Sequence, residues 1–421
     1  MNVLIKPTKL HGDVIIPPSK SLSHRAIIAA GLAEGKSVIS NVMYSADILA
    51  TIEAMEAMGA DIKKLENSLI INGCRGYRKH NVIDANESGS TIRFMIPIAL
   101  TVDEPITFIG KNNLVNRPLD AYYDIFDMQK ISYHHGDTYL PLEVNGGLKA
   151  GVFEIPGDVS SQYITGLLYA LPLLKGDSII KITTNLESKG YVDLTLDMLS
   201  KFGIAITNNN YEEFIIKGDQ AYKPCNYTIE GDYSQSAFFL VAGAFGNDIT
   251  LHAMNPNSLQ GDKKIIKDLE AFGCEIITGV DTLKVGKAKL KGVTIDFSQS
   301  PDLGPALSVL AALSNGSTEF INAGRLRIKE CDRITCVAQE LRKMGVEVIE
   351  NPNGMVITGV DRLNGAQIDS HNDHRLAMAF AMAATVSSSP IRIINAQCVK
   401  KSFPSFWSVY EALGGNVLYE E

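Results

Sequence analysis

The hydrophobic and polar positions of this chain change period in a fixed order, and the order repeats along its length. After Pro18-Ser-Lys-Ser-Leu-Ser-His-Arg25 comes a short apolar run. Ser37-Val-Ile-Ser40 then alternates, Ser45 to Gly59 returns to helical spacing, and Ala60 to Lys64 and Ser68 to Gly73 alternate again. Apolar residues every three to four positions predict a helix and strict alternation predicts a strand. The stretch therefore reads helix, strand, helix, strand, strand, with Ser caps, a Gly stop and a closing hairpin. Gly59 recurs as Gly203, Gly273, Gly345 and Gly414 at intervals of 144, 70, 72 and 69 residues, with Lys130 at the midpoint of the long one. Six copies of about 71 residues fill the chain, which predicts a repeat architecture with no spare domain.

The first helix of most copies is apolar nearly all round, as in Ile164 to Leu171 and Ala306 to Leu313. Such a helix belongs inside a lobe, whereas the amphipathic second helix, for example Gln339 to Met344, belongs on its surface. Two parallel crossovers and a terminal antiparallel pair per copy predict an α/β fold with mixed sheets. The natural cut lies near Lys223-Pro224-Cys225, with three copies on either side.

Nearly every residue with chemical potential falls at a helix start. First helices open at Ser19-Lys20-Ser21, Glu87-Ser88-Gly89-Ser90, Val159-Ser160-Ser161-Gln162, Asp232-Tyr233-Ser234-Gln235, Pro301-Asp302 and Asn372-Asp373-His374-Arg375. Second helices open at Ser45-Ala-Asp47, Arg117-Pro118-Leu119-Asp120, Ser188-Lys189-Gly190-Tyr191, Gln260-Gly-Asp262, Lys329-Glu330-Cys331-Asp332-Arg333 and Lys400-Lys401-Ser402-Phe403-Pro404. Helix N-termini carry unsatisfied N–H groups and about half a positive charge each, so gathered ends make an anion site. Arg suits phosphate and carboxylate by paired hydrogen bonds and Lys as a point charge. With both halves contributing, the site is expected in a cleft between lobes that draw together on ligand.

Composition narrows the class. The chain is 45% hydrophobic and 20% charged with a net charge of −8. Nucleic acid and anionic membrane are therefore excluded as main partners, and Lys20, Arg25, Arg117, Lys329, Arg333, Arg375, Lys400 and Lys401 stand out as a local cationic pocket. Apolar runs such as Leu376 to Val386 are too short to span a bilayer, and Met1-Asn-Val-Leu-Ile-Lys6 lacks the features of a signal peptide. A cytoplasmic location is expected. The six cysteines form no CxxC pair and no metal-type cluster with His, so they read as reduced thiols, Cys398 lying near Lys400-Lys401. There is no G-x-x-x-x-G-K-[ST], G-x-G-x-x-G, H-E-x-x-H or G-x-S-x-G motif, hence no metal or cofactor is expected. Asp302, Glu330, Asp373, His374 and Lys20 remain as proton-transfer groups beside the cations, a pattern suited to acid/base chemistry on a polyanionic substrate.

Eight colinear motifs carry a resemblance that covers the chain end to end. Pro18 to Arg25, Ser88 to Arg93, Asn116-Arg117-Pro118-Leu119, Ser160-Ser161-Gln162, Glu230-Gly231-Asp232, Arg327 to Arg333, Asn372 to Arg375 and Lys401-Ser-Phe-Pro404 resemble the 5-enolpyruvylshikimate-3-phosphate synthase family. The resemblance implies a two-lobed fold of six βαβαββ repeats with buried helices. It divides the chain into a first lobe of residues 19–228, on the shikimate 3-phosphate side, and a second of 1–18 plus 229–421. It implies transfer of the enolpyruvyl group of phosphoenolpyruvate to the 5-hydroxyl of shikimate 3-phosphate, in a monomer. Carried over by position, Ser21, Arg25, Ser160, Ser161, Gln162, Ser188, Tyr191 and Lys329 would hold shikimate 3-phosphate. Lys20, Arg117, Arg333, Arg375 and Lys401 would hold phosphoenolpyruvate, with Gly89 and His374 at its edge. Asp302 would take the hydroxyl proton, and Glu330 and Lys20 would protonate the methylene carbon and reverse that step.

Two positions depart from the family pattern. Glu87 stands where Asn is common, and an acid there opposes an anionic substrate unless a cation pairs with it. Arg325 stands where some members have an Asn that touches the shikimate phosphate. Two other readings compete with the main one. The sister enolpyruvyl transferase acting on UDP-N-acetylglucosamine carries a reactive Cys before its Arg-Pro, whereas this loop reads Gly110-Lys-Asn-Asn-Leu-Val-Asn-Arg-Pro118 without one. A catalytically silent anion-binding homologue would keep the cations, but here Asp302 and Glu330 are also in place.

Overall fold

The computed structural model describes residues 1–74 and 78–420. Along them the predicted order of elements repeats six times. The helices are α1 (Lys20–Leu32), α2 (Ala46–Ala57), α3 (Gly89–Ala99), α4 (Asp120–Gln129), α5 (Ser161–Ala170), α6 (Lys189–Lys201), α7 (Tyr233–Ala244), α8 (Ile265–Phe272), α9 (Gly304–Ala311), α10 (Arg333–Lys343), α11 (His374–Ala384) and α12 (Phe406–Ala412). Each repeat contributes to one four-stranded sheet with a parallel edge pair followed by two antiparallel pairings.

The predicted stops share one backbone conformation. Gly59, Gly203, Gly273, Gly345 and Gly414 all have φ between 80° and 100°, and Lys130 sits at 57°. A left-handed residue after the last turn ends a helix by satisfying its open carbonyls, and glycine reaches that region without the Cβ clash. Lys130 adopts it at a cost of roughly 1 kcal/mol, so the missing glycine in the pattern is a replaced residue and not a missing repeat.

The chain forms two compact units, Lys20–Ile229 and Met1–Ser19 with Glu230–Glu421. In Lys20–Ile229 the three sheets surround α1, α3 and α5, and α3 packs directly on α5. These helices are buried everywhere except at Lys20 and Ser21 of α1, Ser90 of α3 and Gln162 of α5. All four exceptions lie in a first turn. The apolar bodies of the helices fill the core and their polar starts are left at its margin.

The other unit buries α7, α9 and α11 along their full lengths, and the three pack on one another. Two of its sheets are completed from the start of the chain. Asn2–Lys6 lies between Ile391–Ile394 and Asn416–Glu420, antiparallel to both, with Asn2 opposite Glu420. His11–Ile15 runs parallel to Asp248–His252. Val3 and Ile5, fully buried, supply the core face of the first of these strands.

Candidate active site

In the unit Lys20–Ile229 the exposed first turns carry linked polar groups. Lys20 Nζ pairs with Asp47 Oδ2 at 2.8 Å, joining the starts of α1 and α2. Gln162 donates from Nε2 to Ser90 Oγ at 2.9 Å and accepts at Oε1 from Arg93 at 2.8 Å, which ties α5 to α3. Ser160 caps α5, its hydroxyl accepting from the Gln162 N–H, with Ser161 behind it as the first helical residue. Arg117 lies over the start of α3, where a Cβ on Gly89 would sit 2.5 Å from its Nη1. Glycine is required there for the guanidinium to approach the helix end. Glu87 also has an interaction partner, so it is not a free acid facing the site.

Arg25 is the least ordinary group in this unit. It is 2% exposed, and among the described residues no acidic side chain pairs with it. Its donors reach Thr195 Oγ1, the Ser21 carbonyl and the Tyr191 carbonyl, each at 2.9 Å, and Phe94 lies beneath it at 5.3 Å. Burial pulls its pKa down to about 10. A buried cation held by neutral acceptors keeps an unbalanced positive charge, which favours an anion arriving from outside. The structure thus brings Ser21, Arg25 and Tyr191 together, with Ser188 in a left-handed conformation at the start of α6. Thr165 and Thr195, which hold Arg25, were not singled out from the sequence.

In the other unit the cations converge on Asp302. Lys329 Nζ lies 3.3 Å from Oδ1, Arg333 Nη1 3.0 Å from Oδ1, and Arg375 Nη2 3.0 Å from Oδ2. Asp302 sits in a short 3-10 turn, Pro301–Leu303, ahead of α9, because Pro301 and Pro305 limit the backbone on either side. Its carboxylate is committed to side-chain cations and does not cap the helix. Arg333 is 1% exposed and reaches three acids: Asp302, Glu330 Oε2 at 2.7 Å and Asp373 Oδ2 at 2.7 Å. Burial alone would lower its pKa, but Asp373, Glu330 and Asp302 together hold it well above the ordinary value. Burial pulls Lys329 down to about 8 against the raising effect of Asp302, with Arg333 and Arg325 adding to the fall.

Asp373 turns out differently from its grouping with the proton-transfer residues. It is fully buried, accepts from Arg333 and caps α11 through the Arg375 N–H at 2.8 Å. It is a fixed counter-ion, and both its oxygens are engaged. His374 follows it, buried, with Nδ1 3.8 Å from Asp373 Oδ1. Lys401 donates to the Asn372 carbonyl at 2.8 Å from a 3-10 segment, Ala396–Lys401, well before α12, while Lys400 is exposed and lies outside this cluster. Arg325 donates to the Ser298 carbonyl at 2.7 Å and lies close enough to Lys329 to affect its charge. Cys398 is buried near Asp373 and Lys401, its thiol pushed up to about 12 by burial. Among the described residues no group of three His, Cys, Asp or Glu side chains is placed to hold a metal ion, and no helix is long and apolar enough to cross a membrane.

Comparison with known proteins gives one answer along the whole chain. Residues 4–410 match the family described as EPSP synthase (3-phosphoshikimate 1-carboxyvinyltransferase). The 3-phosphoshikimate 1-carboxyvinyltransferase of Clostridium perfringens strain SM101 is 51% identical over 422 residues, covering 100% of this chain and 99% of that protein. The protein of the same name from Clostridium kluyveri is 51% identical over 416 residues, covering 99% and 98%. Among solved structures, the EPSP synthase of Acinetobacter baumannii matches with a TM-score of 0.81 at 26% identity, over 99% of this chain and 100% of that one.

Proposed function

The chain belongs to the EPSP synthase family and transfers the enolpyruvyl group of phosphoenolpyruvate to shikimate 3-phosphate in the shikimate pathway, and on that premise we propose which of its side chains do so. Arg25, with Ser21, Ser160, Ser161, Gln162, Ser188, Tyr191 and Lys329, holds shikimate 3-phosphate. Lys20, Arg117, Arg333, Arg375 and Lys401 hold the phosphate and carboxylate of phosphoenolpyruvate, with Gly89 and His374 beside them. The observation that carries this reading is the convergence of Lys329, Arg333 and Arg375 on Asp302, with Glu330 on the same guanidinium.

That convergence suggests how the chemistry is timed. Without substrate, three cations stabilise the Asp302 carboxylate and weaken it as a base. The phosphate and carboxylate of the substrates compete for the same cations, so their binding leaves Asp302 more basic when the 5-hydroxyl must lose its proton. The hydroxyl oxygen then attacks the phosphate-bearing carbon of phosphoenolpyruvate, an enol phosphate, while Glu330 or Lys20 delivers a proton to the methylene carbon. Reversal of that proton transfer expels phosphate and restores the double bond. Helix N-termini and guanidinium groups stabilise the charge throughout. The test is incubation with both substrates, following phosphate release and the enolpyruvyl product by mass spectrometry; absence of both would refute the reading. The soluble phosphorylated substrates are in keeping with a cytoplasmic enzyme.

Lys20→Ala is expected to lower kcat/KM by about 10², roughly 3 kcal/mol, because it removes a charge-assisted contact to a polyanion. The fold should be kept, as read by circular dichroism. Turnover within a few-fold of wild type would remove Lys20 from the site.

Affinity for shikimate 3-phosphate should also depend on pH through Lys329. With its pKa near 8, Lys329 is charged below that pH and loses its proton above it, so affinity for the anion should fall as pH rises through 8. Lys329→Arg keeps its charge over this range and should flatten the fall. Calorimetric titration of both proteins at several pH values checks this, and an equal fall in the two would assign it to another group.

A further inference from the structure

Lys329 and Glu330 lie in a stretch that no helix or strand supports, residues 329–331, and the residues on either side of it are tied to each other. Arg327 Nη1 lies 2.7 Å from Asp332 Oδ2 and donates to Thr335 Oγ1 at 3.1 Å. Its Nε donates to the Pro352 carbonyl at 3.1 Å and its Nη2 to the Asn351 carbonyl at 2.7 Å. One guanidinium therefore joins three elements: the 3-10 segment Gly324–Ile328 that carries it, the start of α10, and the turn between the strands Glu347–Asn351 and Gly354–Thr358. None of the roles assigned above uses it.

Asp332 divides its carboxylate. Oδ1 accepts from the Thr335 N–H at 3.1 Å and caps α10, while Oδ2 takes the guanidinium. Arg333, the next residue, is the first of α10, so the capped start fixes the point from which its own guanidinium reaches Asp302 and Glu330. Between the two tied residues only Ile328, Lys329, Glu330 and Cys331 remain, and their path is set by where its ends are held. A planar group with donors in fixed directions meets a carboxylate and two carbonyls at once, which an ammonium cannot do. The side chains of Arg327 and Asp332 are 27% and 36% exposed. An ion pair so open to water adds little to stability. What the arrangement fixes is direction: Lys329 Nζ is set 3.3 Å from Asp302 Oδ1, and Glu330 Oε2 2.7 Å from Arg333 Nη2.

We propose that Arg327 is a positioning residue for the acid/base step: tied to Asp332 and to the Asn351 and Pro352 carbonyls, it holds Lys329 and Glu330 against Asp302 and Arg333 without meeting either substrate. The catalytic half of this statement rests on the roles proposed above for Lys329 and Glu330; the fastening of residues 328–331 does not. Displacement of a reacting group by about 1 Å can cost about 10² in rate, so a tie outside the site is enough to govern turnover.

The test uses Arg327→Ala in the full chain with two readings. Endoproteinase Lys-C, added under native conditions and followed by mass spectrometry, should cut after Lys329 several-fold faster than in wild type, with the other lysines unchanged. The kcat should fall by about 10- to 100-fold while KM for phosphoenolpyruvate changes by less than about threefold. Arg327→Lys, which keeps a charge for Asp332 but not the donors for both carbonyls, should fall between the two proteins, and methylguanidinium should restore part of the lost turnover in Arg327→Ala. Asp332→Asn keeps the cap and loses the ion pair, so it should repeat both effects, and the double variant should be no slower than the slower single one. It also carries the test where Arg327→Ala does not fold. Unchanged cutting after Lys329 in the variants would overturn the proposal. Faster cutting with wild-type kcat would overturn it as well, and Glu330→Gln tells the reasons apart. A slow Glu330→Gln leaves the catalytic roles standing and removes only the positioning, whereas a Glu330→Gln as fast as wild type removes those roles and the positioning with them.

Discussion

Asp302→Asn is expected to bind shikimate 3-phosphate as well as wild type or better, while kcat falls by about 10² to 10⁴, the range for removing a general base. The two effects have different origins. Lys329, Arg333 and Arg375 all contact the carboxylate, so its replacement by an amide leaves them less neutralised and more available to a substrate anion. The amide has no basic site for the hydroxyl proton. Calorimetry with shikimate 3-phosphate and turnover at saturation separate these effects in one variant. Lost affinity with unchanged kcat would make Asp302 a binding group and move the proton transfer elsewhere.

Arg333→Met should have the largest effect on stability. Asp373 is fully buried, and the Arg333 guanidinium is its charged partner. Removing one partner of a buried pair typically costs about 3–5 kcal/mol, because the remaining charge is left desolvated. Adding Asp373→Asn removes that charge, and the double variant should recover much of the loss. A double-mutant cycle by urea denaturation measures the coupling between the two residues. If Arg333→Met lies within about 1 kcal/mol of wild type, Asp373 is compensated by another group and the counter-ion reading fails.

The repeat was legible because its signals are local. A helical or alternating period, a cap and a left-handed stop each need only neighbouring residues, and Lys130 shows the pattern surviving the loss of its glycine at one site. The buried first helices were legible for the same reason, since Ala306 to Leu313 has no polar face. Partner choice was not local. Asp302, Asp373 and Glu330 look alike as acids near cations, yet one faces three side-chain cations and another is sealed against a single guanidinium. Only tertiary packing makes that distinction. Asp302 could be placed at a helix start, but the tighter turn that carries it depends on Pro301 and Pro305 together. Arg25 was recognisable as a cation, while its lack of an acidic partner emerges only when Thr195 and Tyr191 close around it.

The placement of Asn2–Lys6 between Ile391–Ile394 and Asn416–Glu420 has a consequence for synthesis on the ribosome. These residues emerge long before their partners, Val3 and Ile393 lying 390 positions apart, so the pairing has a high contact order. Every strand pairing of Lys20–Ile229 lies within that span, so this part can complete its sheets while the translated chain is still growing. His11–Ile15 must wait for Asp248–His252, and Asn2–Lys6 for Ile391–Ile394 and Asn416–Glu420. During that interval Val3, Ile5, Val14 and Ile16 travel as unpaired, alternating apolar strands beside a folded neighbour. They are the segments a nascent-chain chaperone would find exposed longest, and a pause in translation after residue 229 would prolong that exposure without disturbing what has already folded.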